Sequence, residues 1–159
     1  PPAPAYTADG EQTTWLTKEL KKPALHWRFI VMHHPMFTAG PDHPPFLEKG
    51  NHWFRLFQSG GVSAVFAGHE HNFQFSEPSN QNGGMAWFVS GAGGQLRAGN
   101  VVPKMKERQI TVWAPQRHFL IVEVSPDQIK ATPVSVEPLK LIKPDGESMP
   151  IPITVHHRN

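Results

Sequence analysis

Cysteine is absent from this chain of 159 residues. Disulfides and thiolate ligands are thereby excluded, so any metal site must be built from nitrogen and oxygen donors. The absence leaves the redox compartment open. No apolar run approaches the ~20 residues that a bilayer-crossing helix requires, and no membrane span is expected. Charge of one sign is scarce as well: the net charge is +2, and although the pI is near 9.1 no cluster of Lys and Arg stands out. The basic group at 18–22 reads as the outer face of a helix, so nucleic acid is not an expected partner. The opening Pro1-Pro2-Ala3-Pro4-Ala5 has no basic segment followed by an apolar one. It is read as linker-like (1–8) and not as a signal peptide.

The chain does hold enough apolar material for a substantial core, with 38% hydrophobic residues, five Trp and ten Phe. Seventeen Pro and thirteen Gly mark many turns, which suits a β-rich fold with functional loops. Two stretches share one design. The run 64–67 reads as a strand covered on both faces, after which Gly68 releases the chain and His69-Glu70-His71 follows. Upstream, Trp27-Arg28-Phe29-Ile30-Val31-Met32 ends in His33-His34-Pro35, and Pro35 stops the strand. In layered folds chemistry collects beyond the carboxyl ends of strands. Three or four imidazoles there suit one or two transition ions.

The remaining elements follow from periodicity. A helix is predicted over 9–22, with Trp15, Leu16 and Leu20 on one face and Pro23 as the stop. Residues 36–50 are too broken by Pro and Gly for a regular element and form a long loop carrying His43. A helix over 51–58 is expected next, with Asn51 as its cap and Trp53, Phe54 and Phe57 inward. Strands are expected at 85–89, 111–114, 118–124 and 128–136, and 104–108 is read as an exposed loop. The glycine run Gly91-Ala92-Gly93-Gly94 lacks the Lys-Ser/Thr of a phosphate loop, so tight packing is preferred over phosphate binding. Residues 138–159 read as a Pro-rich tail with disordered terminal histidines. Phe29, Phe57, Phe66, Phe73 and Phe88 are assigned to the core, and His26, His52 and His118 to structural roles.

The segments IVMHHP, then FAGHEHNFQF, then FVSGAGGQLR resemble the calcineurin-like metallophosphoesterase superfamily, nearest its purple acid phosphatase branch. The resemblance implies half of a four-layer α/β/β/α sandwich in an α/β fold, β-rich towards the carboxyl end. It implies a two-metal centre (Fe with Zn, Mn or Fe) that hydrolyses phosphate monoesters. By position, His33 and His69 would bind one ion and His71 the other, and His43 would be the acid for the leaving group. His34 either touches phosphate or caps its loop. Many relatives are exported, which leans the location towards periplasmic or secreted.

The departures matter equally. The D-x-H, G-D and G-N-H-acid elements that open the family pattern do not occur before His33, and Gly50-Asn51-His52 is followed by Trp53. Tyr6 does not sit in the context of the branch's tyrosine. The carboxylates near the histidines are Asp42 and Glu70, neither at the family's bridging position, and Glu70 is expected to face outward. Residues 9–137 are therefore read as the carboxyl-terminal half of such a domain, with the amino-terminal half as a required partner. The competing reading is a non-catalytic β-rich binding module.

Overall fold

Alternation along the central strands sends each side chain to one of two cores. A computed structural model describes residues 7–157 apart from Leu25, Asp42 and Ala98. Tyr6 with the start of the linker-like opening, the candidate carboxylate Asp42, and Arg158 lie outside the described residues. The elements in order are α1 (Glu11–Leu20), β1 (Phe29–Met32), α2 (Leu47–Ser59), β2 (Ala64–Ala67), β3 (Phe73–Ser76), β4 (Ala86–Ser90), α3 (Val102–Met105), β5 (Val112–Ala114), β6 (Phe119–Val124), β7 (Gln128–Val134), β8 (Leu141–Ile142), β9 (Ser148–Met149) and β10 (Ile153–His156).

Seven strands form one sheet in the order β1-β2-β4-β3-β5-β8-β9, and three form a second in the order β10-β7-β6. β1, β2 and β4 run parallel, whereas β3 pairs antiparallel with both β4 and β5. On β2 and β4, Val65 and Trp87 face α1 and α2, joining Leu16, Trp53 and Phe57. Their neighbours Ala64, Ala86 and Phe88 face the small sheet, meeting Ile129, Ala131, Ile153 and Val155. A period of two on strands covered on both faces dictates this split. The result is helices, large sheet and small sheet in layers, a mixed α/β, β-rich architecture consistent with half of a metallophosphoesterase sandwich. The outer side of β7 is only half-buried at alternate residues, so among the described residues no helical layer closes that side.

The helices are fixed by specific contacts. Trp53 Nε1 donates to Thr13 Oγ1 at 2.7 Å and joins α2 to α1. Arg28, just before β1, donates to the carbonyls of Leu20, Lys22 and Gly60, tying the ends of both helices to the sheet. α2 begins at Leu47, so Asn51 lies inside the helix and is not its cap; Phe46 holds the cap position without a side-chain bond. The expected helix was too short because the Pro-rich loop obscured its first turn.

Other expectations shift in the same way. Residues 102–105 form a short helix, where 104–108 had read as loop. The segment from 138 onwards carries three short strands, and β10 pairs with β7 from Ile153↔Ala131 to His156↔Gln128. His156 is therefore held in a sheet, and His157 Nε2 lies 2.8 Å from the His26 carbonyl; the expected disorder there does not occur. Phe57, Phe73 and Phe88 are fully buried, whereas Phe29 is 36% exposed because β1 is a sheet edge.

Candidate metal centre

The parallel pairing of β1 with β2 aligns Met32 with Ala67, so the two histidine-bearing segments leave the sheet side by side. The Gly68 N–H donates to the His33 carbonyl at 3.1 Å and continues that pairing one step further. Beyond it, His69 adopts φ 68, the left-handed region. Histidine enters that region more readily than most residues, but a non-glycine there still costs on the order of 1–3 kcal/mol and persists only where its surroundings enforce it.

That turn brings imidazoles together. One ring nitrogen from each of His33, His34 and His69 falls within 4.8 Å of the others. His33 Nε2 and His69 Nδ1 are 3.0 Å apart. His43, from the loop between β1 and α2, joins them with its ring centroid 3.9 Å from that of His69. His34 stacks on Phe46 at 5.3 Å, which orients it. His71 is not in the triad, yet its Nδ1 is buried without a hydrogen-bond partner. A buried ring nitrogen in that state is the kind of atom an ion would satisfy.

The loop bearing His43 is pinned from below by a buried polar network. Gln74 on β3 accepts from the Ala39 N–H at 2.8 Å through Oε1, and its Nε2 donates to Thr38 Oγ1 at 3.0 Å and Asn72 Oδ1 at 2.8 Å. Glu70 is 0% exposed, contrary to the expectation that it faces outward. The left-handed turn at His69 breaks the period of two and carries Glu70 under the loop. There its Oε1 accepts from the His43 N–H and lies 2.9 Å from His43 Nδ1. Arg97, beyond the glycine run, sets Nη1 3.2 Å from His43 Nδ1 and 3.3 Å from Nε2. Gln74 and Arg97 were not singled out from the sequence, and Glu70 was noted only as an outward-facing carboxylate; adjacency to the GHEH and glycine-run segments was the one signal for all three.

No protein-family model matches the sequence. Among solved structures, the chain is similar to purple acid phosphatase PPD1 from yellow lupin (Lupinus luteus) seeds, with TM-score 0.63 at 15% identity. It is similar to the same degree, TM-score 0.63 and 15% identity, to GAP50, the anchor in the inner membrane complex of Plasmodium. PhoD follows at TM-score 0.60 and 17% identity. The fold is shared with metallophosphoesterase-like proteins. The alignments cover 95%, 92% and 88% of this chain, which spans 29%, 42% and 34% of those structures respectively.

The charged groups that act on His69 and His34 are all of positive sign. Burial, then the charges of His43, His34, His33 and Arg97, pushes the His69 imidazole down to about 4. His34 is lowered by burial and by His33, His43 and Lys49. Both rings are therefore neutral near pH 7 and offer lone pairs, the state a metal requires. Two nitrogens bound at ~2.0–2.1 Å to one ion stand ~2.9–3.4 Å apart at angles of ~90–110°, and the 3.0 Å between His33 and His69 falls in that range. That pair is therefore spaced for one transition ion. Among the described residues no carboxylate belongs to the triad of His33, His34 and His69, and Glu70 reaches the cluster only through His43. Among the described residues no helix is long and apolar enough to cross a membrane.

Proposed function

We propose that this chain supplies the histidine side of a two-metal phosphoesterase centre, acting on phosphate monoesters. In this reading His33, His69 and His71 hold metal (Fe with Zn, Mn or Fe), His34 contacts the phosphate and His43 moves a proton to the leaving oxygen. The observation that carries it is the gathering of His33, His34 and His69, with ring nitrogens within 4.8 Å of one another and the His43 ring packed on His69, on a fold shared with a purple acid phosphatase and PhoD. Bound ions would supply charge for the phosphoryl oxygens and lower the pKa of water. The chain's own residues do the rest. His34 and Arg97 present donors to an anion, and the buried Gln74 network holds the His43 loop in place.

Two cations close together need an anion between them, and the carboxylate that touches the cluster, Glu70, is engaged with His43 beneath the loop. We propose that bridging carboxylates come from polypeptide beyond the described residues, laid along the open edges of β1 and β6. Chain coverage of 29–42% of the neighbouring structures supports this. A second reading, a non-catalytic interaction module, is favoured by one observation: GAP50, with the same fold, is described as an anchor.

Metal content and hydrolysis of p-nitrophenyl phosphate, with and without chelator, separate the two. Metal uptake that disappears in His33→Ala and His69→Ala, with weak or no turnover by the 159 residues alone, is the expected result. Absence of any histidine-dependent uptake would overturn the proposal in favour of the module.

A further inference from the structure

We infer that Glu70, between the two histidines of GHEH, is a positioning residue: it fixes the tautomer of His43 so that Nε2 is the ring nitrogen facing the site. The inference deepens the role proposed above for His43 and rests on it. Glu70 Oε1 lies 2.9 Å from both the backbone nitrogen and the ring Nδ1 of His43. The backbone N–H can only donate, so this oxygen is already an acceptor, and the same oxygen accepts a hydrogen carried on Nδ1.

A carboxylate oxygen that already accepts from the backbone N–H is placed to accept a second hydrogen, so the neutral ring carries its hydrogen on Nδ1 and keeps its lone pair on Nε2. Arg97 Nη1 lies 3.2 Å from Nδ1 and 3.3 Å from Nε2, against both ring nitrogens alike, and does not by itself select a tautomer. Proton exchange with the site then passes through Nε2. This is the logic by which a partner at one ring nitrogen sets the chemistry of the other.

Glycine provides the space. A Cβ on Gly40 would sit 2.1 Å from Glu70 Cδ, so the carboxylate occupies the volume that any other residue at position 40 would need. Glu70 is fully buried beneath the loop and has little freedom to leave.

Ring nitrogen NMR on the metal-free 159-residue chain tests this directly. A His43 ring protonated at Nδ1 is expected, retained in Glu70→Gln, which keeps the accepting oxygen, and converted to a mixture in Glu70→Met. Gly40→Ala should produce the same mixture with Glu70 intact. A folded wild-type chain whose His43 carries its hydrogen on Nε2, or an unchanged tautomer in folded Glu70→Met, would overturn the inference. In a preparation that turns over, Glu70→Met should lower kcat about ten-fold or more on alkyl phosphates, whose leaving groups need a proton. On p-nitrophenyl phosphate kcat should barely change, with KM unchanged on both. Equal loss on both substrates would mark a merely structural role and overturn it. If the tautomer is as stated while the chain shows no histidine-dependent metal uptake, the phosphoesterase reading fails and the assignment of Glu70 as setting the tautomer stands.

Discussion

His33 Nε2 and His69 Nδ1 lie 3.0 Å apart at the ends of two parallel strands. A hydrogen bond between the two rings and shared ligation of one ion place the nitrogens at nearly the same separation, so the pair needs little rearrangement to pass from one to the other. Zn(II) or Co(II) is expected to raise Tm, by an amount equivalent to ~2.7 kcal/mol when the ion is at about 100 times its Kd. His69→Gly should remove the shift and leave the metal-free protein no less stable, because glycine relieves the φ of 68. His26→Gln, remote from the cluster, should keep it. Differential scanning fluorimetry with a chelator control reads all three.

Acid should weaken the fold through His118. This residue is 4% exposed, with Nε2 2.9 Å from Ser90 Oγ and Nδ1 2.9 Å from the Gln116 carbonyl. Burial lowers its pKa from 6.5, partly offset by that carbonyl. The unfolded chain thus takes up the proton first as pH falls. Stability from this group is complete above pH 6.5 and is lost as pH drops from there towards the lower folded value. Urea unfolding between pH 7.5 and 5 should show the decline, with a shallower slope in His118→Gln.

Legibility from sequence followed the physics of each segment. β2 was read at 64–67 because a continuous apolar run bounded by Gly68 admits one interpretation, and the large sheet followed from similar runs. The strands after residue 138 were missed because two of them are two residues long and Pro masks their alternation. Glu70 was assigned the wrong direction because a period of two was carried through a left-handed residue, where it does not hold. Arg97 was not recognised because 54 positions separate it from His43 and only the folded sheet brings them together. The proximity of His33, His34 and His69 was suggested by two strand ends of one design, whereas His71, from the same motif, stands outside that triad.

The glycine run after β4 divides into one position that requires glycine and others that do not. A Cβ on Gly91 would lie 2.2 Å from the Glu70 carbonyl oxygen, a backbone atom that cannot swing aside, whereas Gly94 has nothing within 4 Å. Gly91→Ala should therefore cost roughly 1–3 kcal/mol and loosen the GHEH turn. Gly94→Ala should be neutral or stabilising by up to about 1 kcal/mol. Chemical denaturation of the two variants checks the contrast. Equal effects would mean that β4 does not bear on the turn, and a phosphate-binding role for the run would regain weight.

One edge of each sheet is apolar where an edge facing water is normally blunted by charge. β1 and β6 are terminal strands of their sheets. Val31 is 83% exposed, Phe119 59% and Ile121 46%, and Val31 and Phe119 line one open groove of about 430 Å³ with Phe66 and Leu120. Unpaired backbone groups and exposed hydrocarbon together favour strand addition. The 159-residue chain is expected to associate as its concentration rises, by sedimentation velocity or light scattering. Val31→Lys with Ile121→Lys should suppress the association at a stability cost within about 0.5 kcal/mol, since both side chains are at the surface. His33 follows β1 directly, so polypeptide that pairs with this edge also arrives beside the histidines. A covering strand bearing Asp or Glu would thus complete the sheet and the ligand set together. Association unchanged in the double variant would dissociate the two and leave the carboxylates to be sought elsewhere.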